Sequence, residues 1–328
     1  MDWAPQAIRA TRADPPGKAG KGSRRALYGA ALQQFDELIE ASRTAGHASR
    51  PLPLFYALSQ AGRAIVAAYG PSGRISSHGL AEDRSVQSRD VLDRAVIRRR
   101  SADDALTSVC EALHIADPFG SLEVQPPPIS LGAAWAALPR WHAYLPEWKE
   151  MWFPALRAFS RGGDGADHMD RRIMQLRGPK QSPQAMAEFD PFASHRYPQL
   201  PLSGWYEPSA QGGVDPMSGF HRLGTVRWEQ DDDERSVFDI TRAYDLSTER
   251  WLLPAVAGSD QAFEPITAWW VLLFGMSILA RYDPALWSTA LDLDKSDRAV
   301  PLRLLLDEAL DAVPALVADA LLSEHSDS

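Results

Sequence analysis

Between Leu54 and Gly70 the chain reads LFYALSQAGRAIVAAYG. At about 100° per residue, Tyr56, Ser59, Gln60 and Arg63 fall on one narrow stripe of a helix. Leu54, Phe55, Leu58, Ala61, Ile65 and Val66 cover most of the remaining circumference. A helix that is apolar almost all round belongs inside a packed helical core. Its stripe then faces one of three things. It can meet solvent. It can meet a cleft or partner, where the planar fork of Arg63 would bind a carboxylate or phosphate. Or Gln60 and Arg63 can bond the backbone carbonyls of a neighbouring loop, since buried polar groups need partners. The nearby SSHGL, Ser76 to Leu80, is the natural loop, and this structural reading leads.

Two bulk properties narrow the setting. A net charge of −9 argues against broad, non-specific nucleic-acid binding, which needs a basic surface, while leaving a local basic groove open. The single cysteine, Cys110, excludes an internal disulfide and fits a reducing cytoplasm. It sits in the helical pattern ALTSVCEALHI, where a buried, inert thiol is expected. The most apolar run, AWWVLLFGMSILA from Ala268 to Ala280, is shorter than the ~20 residues that cross a bilayer. It reads as a core helix. The N-terminus carries no apolar signal segment. A cytoplasmic protein that does not engage a membrane is expected.

Along the 328 residues the pattern is mainly α, a bundle-like helical domain with a small β-hairpin and irregular insertion in the middle. Residues 1–23, rich in Pro, Gly and Lys, read as a flexible basic arm. Residues 24–159 read as an N-terminal helical region, with helices over 24–44, 54–70, 103–115 (Ser101 as N-cap) and 131–138. Residues 160–245 read as a loop-rich insertion, dense in Gly, Pro, His and Arg. Within it GTVRWEQDDDERSVFDI predicts a hairpin with an acidic tip. Residues 246–328 return to helix and pack on the first region. There the spacing predicts helices over 265–281, 301–312 and 314–322, the last two split by Pro314.

Known catalytic patterns are mostly missing. GKAGKGS, from Gly17, lacks phosphate-loop spacing and a preceding strand. DLDKSD, from Asp292, lacks the sixth-position glycine and twelfth-position glutamate of a calcium loop. The eight histidines form no HxxxH or HExxH pair, and there is neither a GxSxG elbow nor a GxGxxG turn. No metal and no cofactor is expected.

Three blocks in a fixed order carry a resemblance: RPLPLFYALSQAGRAIVAAYG with SSHGL, SLGAAWAALPRW from Ser130, and SILARYDPALW from Ser277. Together they resemble the YaaC-like family of bacterial proteins, a family without a firmly established activity. The helix–loop–HGL layout also resembles HEPN-type helical domains, many of which are RNases in conflict and phage-defence systems. That resemblance implies a catalytic arginine followed, after four to six residues, by histidine. Arg74 and His78, and Arg43 and His47, are separated by three residues. Arg161 and His168 meet the spacing in a glycine-rich segment.

The candidate residues are therefore Arg63 and His78 for catalysis, and Tyr56, Gln60, Arg63, His78, Arg281 and Tyr282 for binding a ligand or partner. His78 precedes a turn glycine and titrates near neutrality in the ordinary case. Arg281 ends the apolar helix, where a cation suits the dipole. The leading expectation is an interaction protein acting through a protein partner or its own copies, in a defence or stress system. Two other classes stay open: an RNA- or nucleotide-directed enzyme with a degenerate Arg/His site, and a nucleotide or small-molecule sensor. A nucleic-acid partner is disfavoured by the net charge.

Overall fold

The computed structural model describes residues 3–72, 75–85, 88–98, 104–120, 127–140, 144–145, 149, 152–162, 169–178, 196–200, 205–208, 221–228, 236–244, 249–255 and 261–323. They are mainly α-helical, with two antiparallel sheets. The chain forms two compact units. One combines residues 1–131 with 266–328, and the other is residues 132–265.

The discontinuous unit is built on helices α1 (Trp3–Ala13), α2 (Gly22–Thr44), α3 (Pro51–Ala68) and α4 (Ala105–Leu113). Arg24, at the start of α2, reaches the carbonyls that end α3. Its guanidinium donates to Ala67 O at 3.2 Å, Gly70 O at 2.8 Å and Pro71 O at 2.7 Å. The two helices therefore run antiparallel. This arginine satisfies C-terminal carbonyls that have no partner within their own helix. Arg24→Ala is expected to lower stability by about 2 kcal/mol, a charge-assisted bond lost at a half-buried site. Urea unfolding monitored by circular dichroism measures it.

Residues 3–13 are helical, which corrects the expected flexible arm. Ala4, Ile8 and Thr11 are buried, and Thr11 Oγ1 lies 2.5 Å from Tyr28 Oη on α2. The lysine- and glycine-rich composition of 14–22 masked the apolar face just before it. Burial also pushes the Tyr28 phenol up to about 12.

A three-stranded sheet, β1 (Leu80–Glu82), β2 (Ala95–Arg98) and β3 (Ile129–Ser130), follows the HGL segment, with Leu80 paired to Arg98. α5 (Leu131–Ala136) follows. The helix predicted over 103–115 begins at Ala105, and its cap is Asp104, whose side chain accepts from Thr107 N. Ser101 lies outside the described residues.

The second unit carries a six-stranded antiparallel sheet in the order β6-β7-β5-β4-β9-β8. Its strands are β4 (Leu156–Gly162), β5 (Met169–Gly178), β6 (Trp205–Pro208), β7 (His221–Arg227), β8 (Arg242–Ala243) and β9 (Arg250–Leu252). This corrects the loop-rich reading of 160–245. In β5 the buried pair Met174 and Leu176 shows period two, but arginines at neighbouring positions hide the alternation. The predicted hairpin over 224–240 is also corrected. β7 pairs with β5 and β6, and Val237–Ile240 forms a short helix, α6, with a Ser236/Asp239 capping box. The acidic tip, 231–234, lies outside the described residues. Leu156, Ala158, Met174, Leu176, Val226 and Leu252 bury one face of the sheet, together with Val237 and Ile240 of α6.

The first unit closes with α7 (Pro265–Tyr282), α8 (Pro284–Ala290) and α9 (Ala299–Leu322). α7 is apolar and long enough by composition to cross a membrane, and 78% of it is buried in the fold, as in a core helix. Gly62 lets α3 approach it; a Cβ there would sit 2.5 Å from the Trp270 ring. α9 runs unbroken through Pro314, where two helices were predicted. Interior proline opposes a helix by about 3 kcal/mol. The buried series Leu302, Leu306, Ala309, Val313, Val317 and Leu321 keeps one helical stripe across it, and that continuous burial outweighs the lost hydrogen bond.

Candidate functional site

Over Leu54–Ala68 of α3, every residue is buried except Tyr56, Ser59, Gln60 and Arg63. The stripe is thus the one outward line of an otherwise enclosed helix. It is not plain solvent face. The Ser59 hydroxyl is buried without a hydrogen-bond partner among the described residues, and Arg63 Nη1 lies 3.5 Å from the carbonyl of Ile75, in the segment leading to HGL. Gln60 is half-buried beside it.

The HGL segment has an outward and an inward side. Outward, His78 is exposed and its Nδ1 accepts from Leu80 N at 3.5 Å. Its ring packs against two buried phenylalanines, 5.3 Å from Phe274 and 6.3 Å from Phe55, which are themselves 5.3 Å apart. Tyr56, 43% exposed, adjoins Phe55. Arg281 stands seven residues after Phe274, so it shares that line of α7 about 10 Å further along. Its Nε donates to Ser277 O at 3.2 Å, and its guanidinium stacks 5.1 Å from the Tyr282 ring. Tyr282 is 72% exposed. Tyr56 and His78 each adjoin the Phe55 ring, at 5.8 and 6.3 Å between ring centres. Arg281 lies on the Phe274 line of α7, Tyr282 points about 100° away from it, and Arg63 meets the Ile75 carbonyl at 3.5 Å.

Inward, Gly79 adopts φ +74 directly over Asp104; a Cβ would stand 2.3 Å from its Cγ. Ser77 pairs with Asp104 in a parallel bridge, and Ala105 N donates to Ser77 O at 2.8 Å. Asp104 is almost fully enclosed, and so is the Arg98 side chain, at 1% and 4% exposure. Arg98 reaches two carboxylates, 3.5 Å to Asp104 and 3.2 Å to Asp117, and donates to Gly120 O and to the Thr107 hydroxyl. Thr107 Oγ1 in turn lies 3.1 Å from Asp104 and 2.9 Å from Asp117, so its single proton serves one of them at a time. Among the described residues Arg98 Nε finds no hydrogen-bond partner, but the pair's charges are matched, and a lone member would be far costlier.

Arg98, Thr107 and Asp117 line an open cavity of about 470 Å³, shared with Cys110, Glu111, His114, Ile115 and Gly120. His114 ends α4 in the left-handed region, φ 52, with Ile115 N donating back to Cys110 O. Glycine is the usual residue there. His114→Gly is expected to raise stability by about 1 kcal/mol, read as a higher midpoint in urea. Burial pushes the Asp117 carboxyl above its ordinary value, against the lowering effects of Phe119 N–H, Arg98 and Thr107. Between the ordinary carboxylate pKa and that raised value the folded chain binds the extra proton. Stability contributed by Asp117 therefore falls as pH rises through this window. Carboxyl-carbon NMR of Asp117 should show a midpoint above 3.8, and Asp117→Asn should remove the slope.

Sequence reasoning missed Arg98, Asp104, Thr107 and Asp117. An aspartate immediately before the apolar run ALTSVCEAL was the available signal for the cap. Nothing local marks Arg98 as buried within IRRR. Of the HEPN-type pairs, Arg43 and His47 are described, and both are engaged in ion pairs. Arg43 lies 3.8 Å from Asp311, and His47 lies 3.0 Å from Asp307, which also takes Arg50. Arg74 and His168 lie outside the described residues. Among the described residues no group of three or more His, Cys, Asp and Glu side chains is placed to hold a metal ion.

Comparison with curated proteins and with solved structures gave no match. A family model, described as YaaC-like Protein, matches residues 6–321. That span covers both units, including the sheet that the three sequence blocks leave out. The chain belongs to the YaaC-like protein family.

Proposed function

We propose that this YaaC-like protein is a non-catalytic binding protein that associates with a protein partner or with a second copy of itself, as a component of a bacterial defence or stress system. The supporting observation is how the candidate groups are used. Arg63, a candidate for catalysis and for anion binding, lies 3.5 Å from the backbone carbonyl of Ile75. The other candidates are Tyr56 and His78 beside Phe55, and Arg281 stacked on Tyr282 at the end of α7. Tyr56, His78, Arg281 and Tyr282 combine large rigid contact area with one cation, the chemistry enriched at interface hot spots. A tagged full-length chain should co-purify with a partner from host lysate, or show at least twice its 36.2 kDa mass by light scattering. A monomer that captures nothing contradicts the reading.

The cavity beside α4 favours a second reading, a small-molecule sensor. Its lining mixes Arg98 with Asp117, Glu111 and His114. Thermal-shift screening of small polar metabolites tests it. Stabilisation that His114→Ala abolishes supports a sensor, and a flat screen removes it.

A further inference from the structure

The cavity beside α4 has one helical wall. Thr107, Cys110, Glu111 and His114 line it at i, i+3, i+4 and i+7, the spacing of a single helix face. Ile115, Asp117 and Gly120 come from the segment that follows the helix, and Arg98 comes from β2. A methyl on Gly120 would meet no atom within 4 Å, so this segment leaves open space beside it. At about 470 Å³ the cavity has the size of a small-molecule site, roughly 300–1,000 Å³.

The charges around it are unequal. Arg98 is already matched. Its guanidinium meets Asp104 and Asp117 and donates to Gly120 O and to the Thr107 hydroxyl, and its side chain is 4% exposed. An entering anion would have to compete with two carboxylates for it. The acids are less well served. Each aspartate accepts one backbone amide, Thr107 N on Asp104 and Phe119 N on Asp117, and the two share the Thr107 hydroxyl. Glu111 is exposed, and among the described residues its carboxylate has no ion pair. Asp104, Asp117 and Glu111 thus set three carboxylates against the guanidinium of Arg98. The raised pKa of Asp117 agrees, since burial there outweighs what Arg98 and its hydrogen bonds return.

Among the described residues no three carboxylate, thiol or imidazole groups converge as metal ligands. The cation that suits this lining meets carboxylates one at a time, through N–H donors. Ile115 and the Cys110 thiol, which behaves as a small hydrophobe, offer its carbon part an apolar contact.

We propose that the cavity takes a small organic cation, an alkylammonium that donates to Asp117 and Glu111. The inference rests on the sensor reading above and gives its ligand a charge and a carbon stem.

The test is isothermal titration calorimetry of the full chain with butylammonium, butyrate and butanol. Butylammonium should bind saturably, and the other two should not. Asp117→Asn should weaken it about tenfold, and Glu111→Gln about fivefold, because an exposed carboxylate contributes less. Glu40→Gln, on the exposed side of α2, should match the wild type. Carboxyl-carbon NMR of the wild-type chain reads the same contact if Asp117→Asn misfolds. Arg98 on β2 and Asp104, Glu111 and His114 on α4 are the charged and titratable groups near that carboxyl. Saturating butylammonium should lower the Asp117 midpoint, because a cation favours the ionised form, and sodium chloride at equal ionic strength should not. Binding of butyrate or butanol with butylammonium silent keeps the sensor reading and overturns the cation. Silence from all three with an unmoved Asp117 midpoint also overturns it, and the metabolite screen then decides the sensor reading separately. Undiminished butylammonium binding by the folded Asp117→Asn and Glu111→Gln variants overturns the site.

Discussion

Gly79→Ala is expected to destabilise the helical unit by about 3 kcal/mol. Two effects add. A side chain at φ +74 pays a left-handed backbone penalty of roughly 1–2 kcal/mol. The new methyl would also fall 2.3–2.4 Å from the Asp104 side chain, and overpacking of that kind adds about 1–3 kcal/mol. Asp104 cannot yield easily, because it caps α4 and faces Arg98 at once. For a unit of this size the melting temperature should fall by roughly 6–12 °C. Amide exchange locates the damage: the Ala105 amide, bonded to Ser77 O, should lose protection before those of α2. A variant that melts with the wild type would mean that the loop stands further from Asp104 than the structure places it.

Arg98→Met should have a similar or larger effect, about 3–5 kcal/mol. Methionine keeps the apolar stem and leaves Asp104 enclosed without its cation, and breaking a buried pair by one member is of that size. The Thr107 hydroxyl would still reach both carboxylates, which then repel across it. Asp104→Asn in the same chain should restore part of the loss, because the amide oxygen can still accept from Thr107 N while the uncompensated charge disappears. A double-mutant cycle in urea reads this directly. Strictly additive losses would contradict the coupling between Arg98 and Asp104.

The helices were legible where apolar spacing was long and undisturbed. α2, α3 and α7 lie within a few residues of the expected bounds, and the outward line of α3 is the stripe that its spacing predicts. Errors arose where local chemistry and tertiary burial disagree. Pro314 argues for a break, yet the buried stripe of α9 runs through it. The arginines of β4, β5 and β7 made sheet strands resemble loops, because only alternate positions bury. The inward half of the HGL segment was illegible for a related reason. Asp104 and Asp117 are 25 and 38 residues beyond Gly79 in the sequence. Only the fold brings the first under the glycine and both onto Arg98. In contrast, the choice of Tyr56, His78, Arg281 and Tyr282 as binding residues rests on residue type and on position, in α3, in the HGL loop and at the end of α7. Their function is decided by what they touch in a complex.

The most direct test of the account is therefore quantitative association by the folded chain with and without that surface. Tyr56→Ser/Tyr282→Ser removes two exposed rings and should leave the melting temperature within about 2 °C of wild type. The account predicts that the complex captured from host lysate, or the larger species seen by light scattering, is lost or weakened at least tenfold in this variant. Undiminished association by the folded double variant would contradict it.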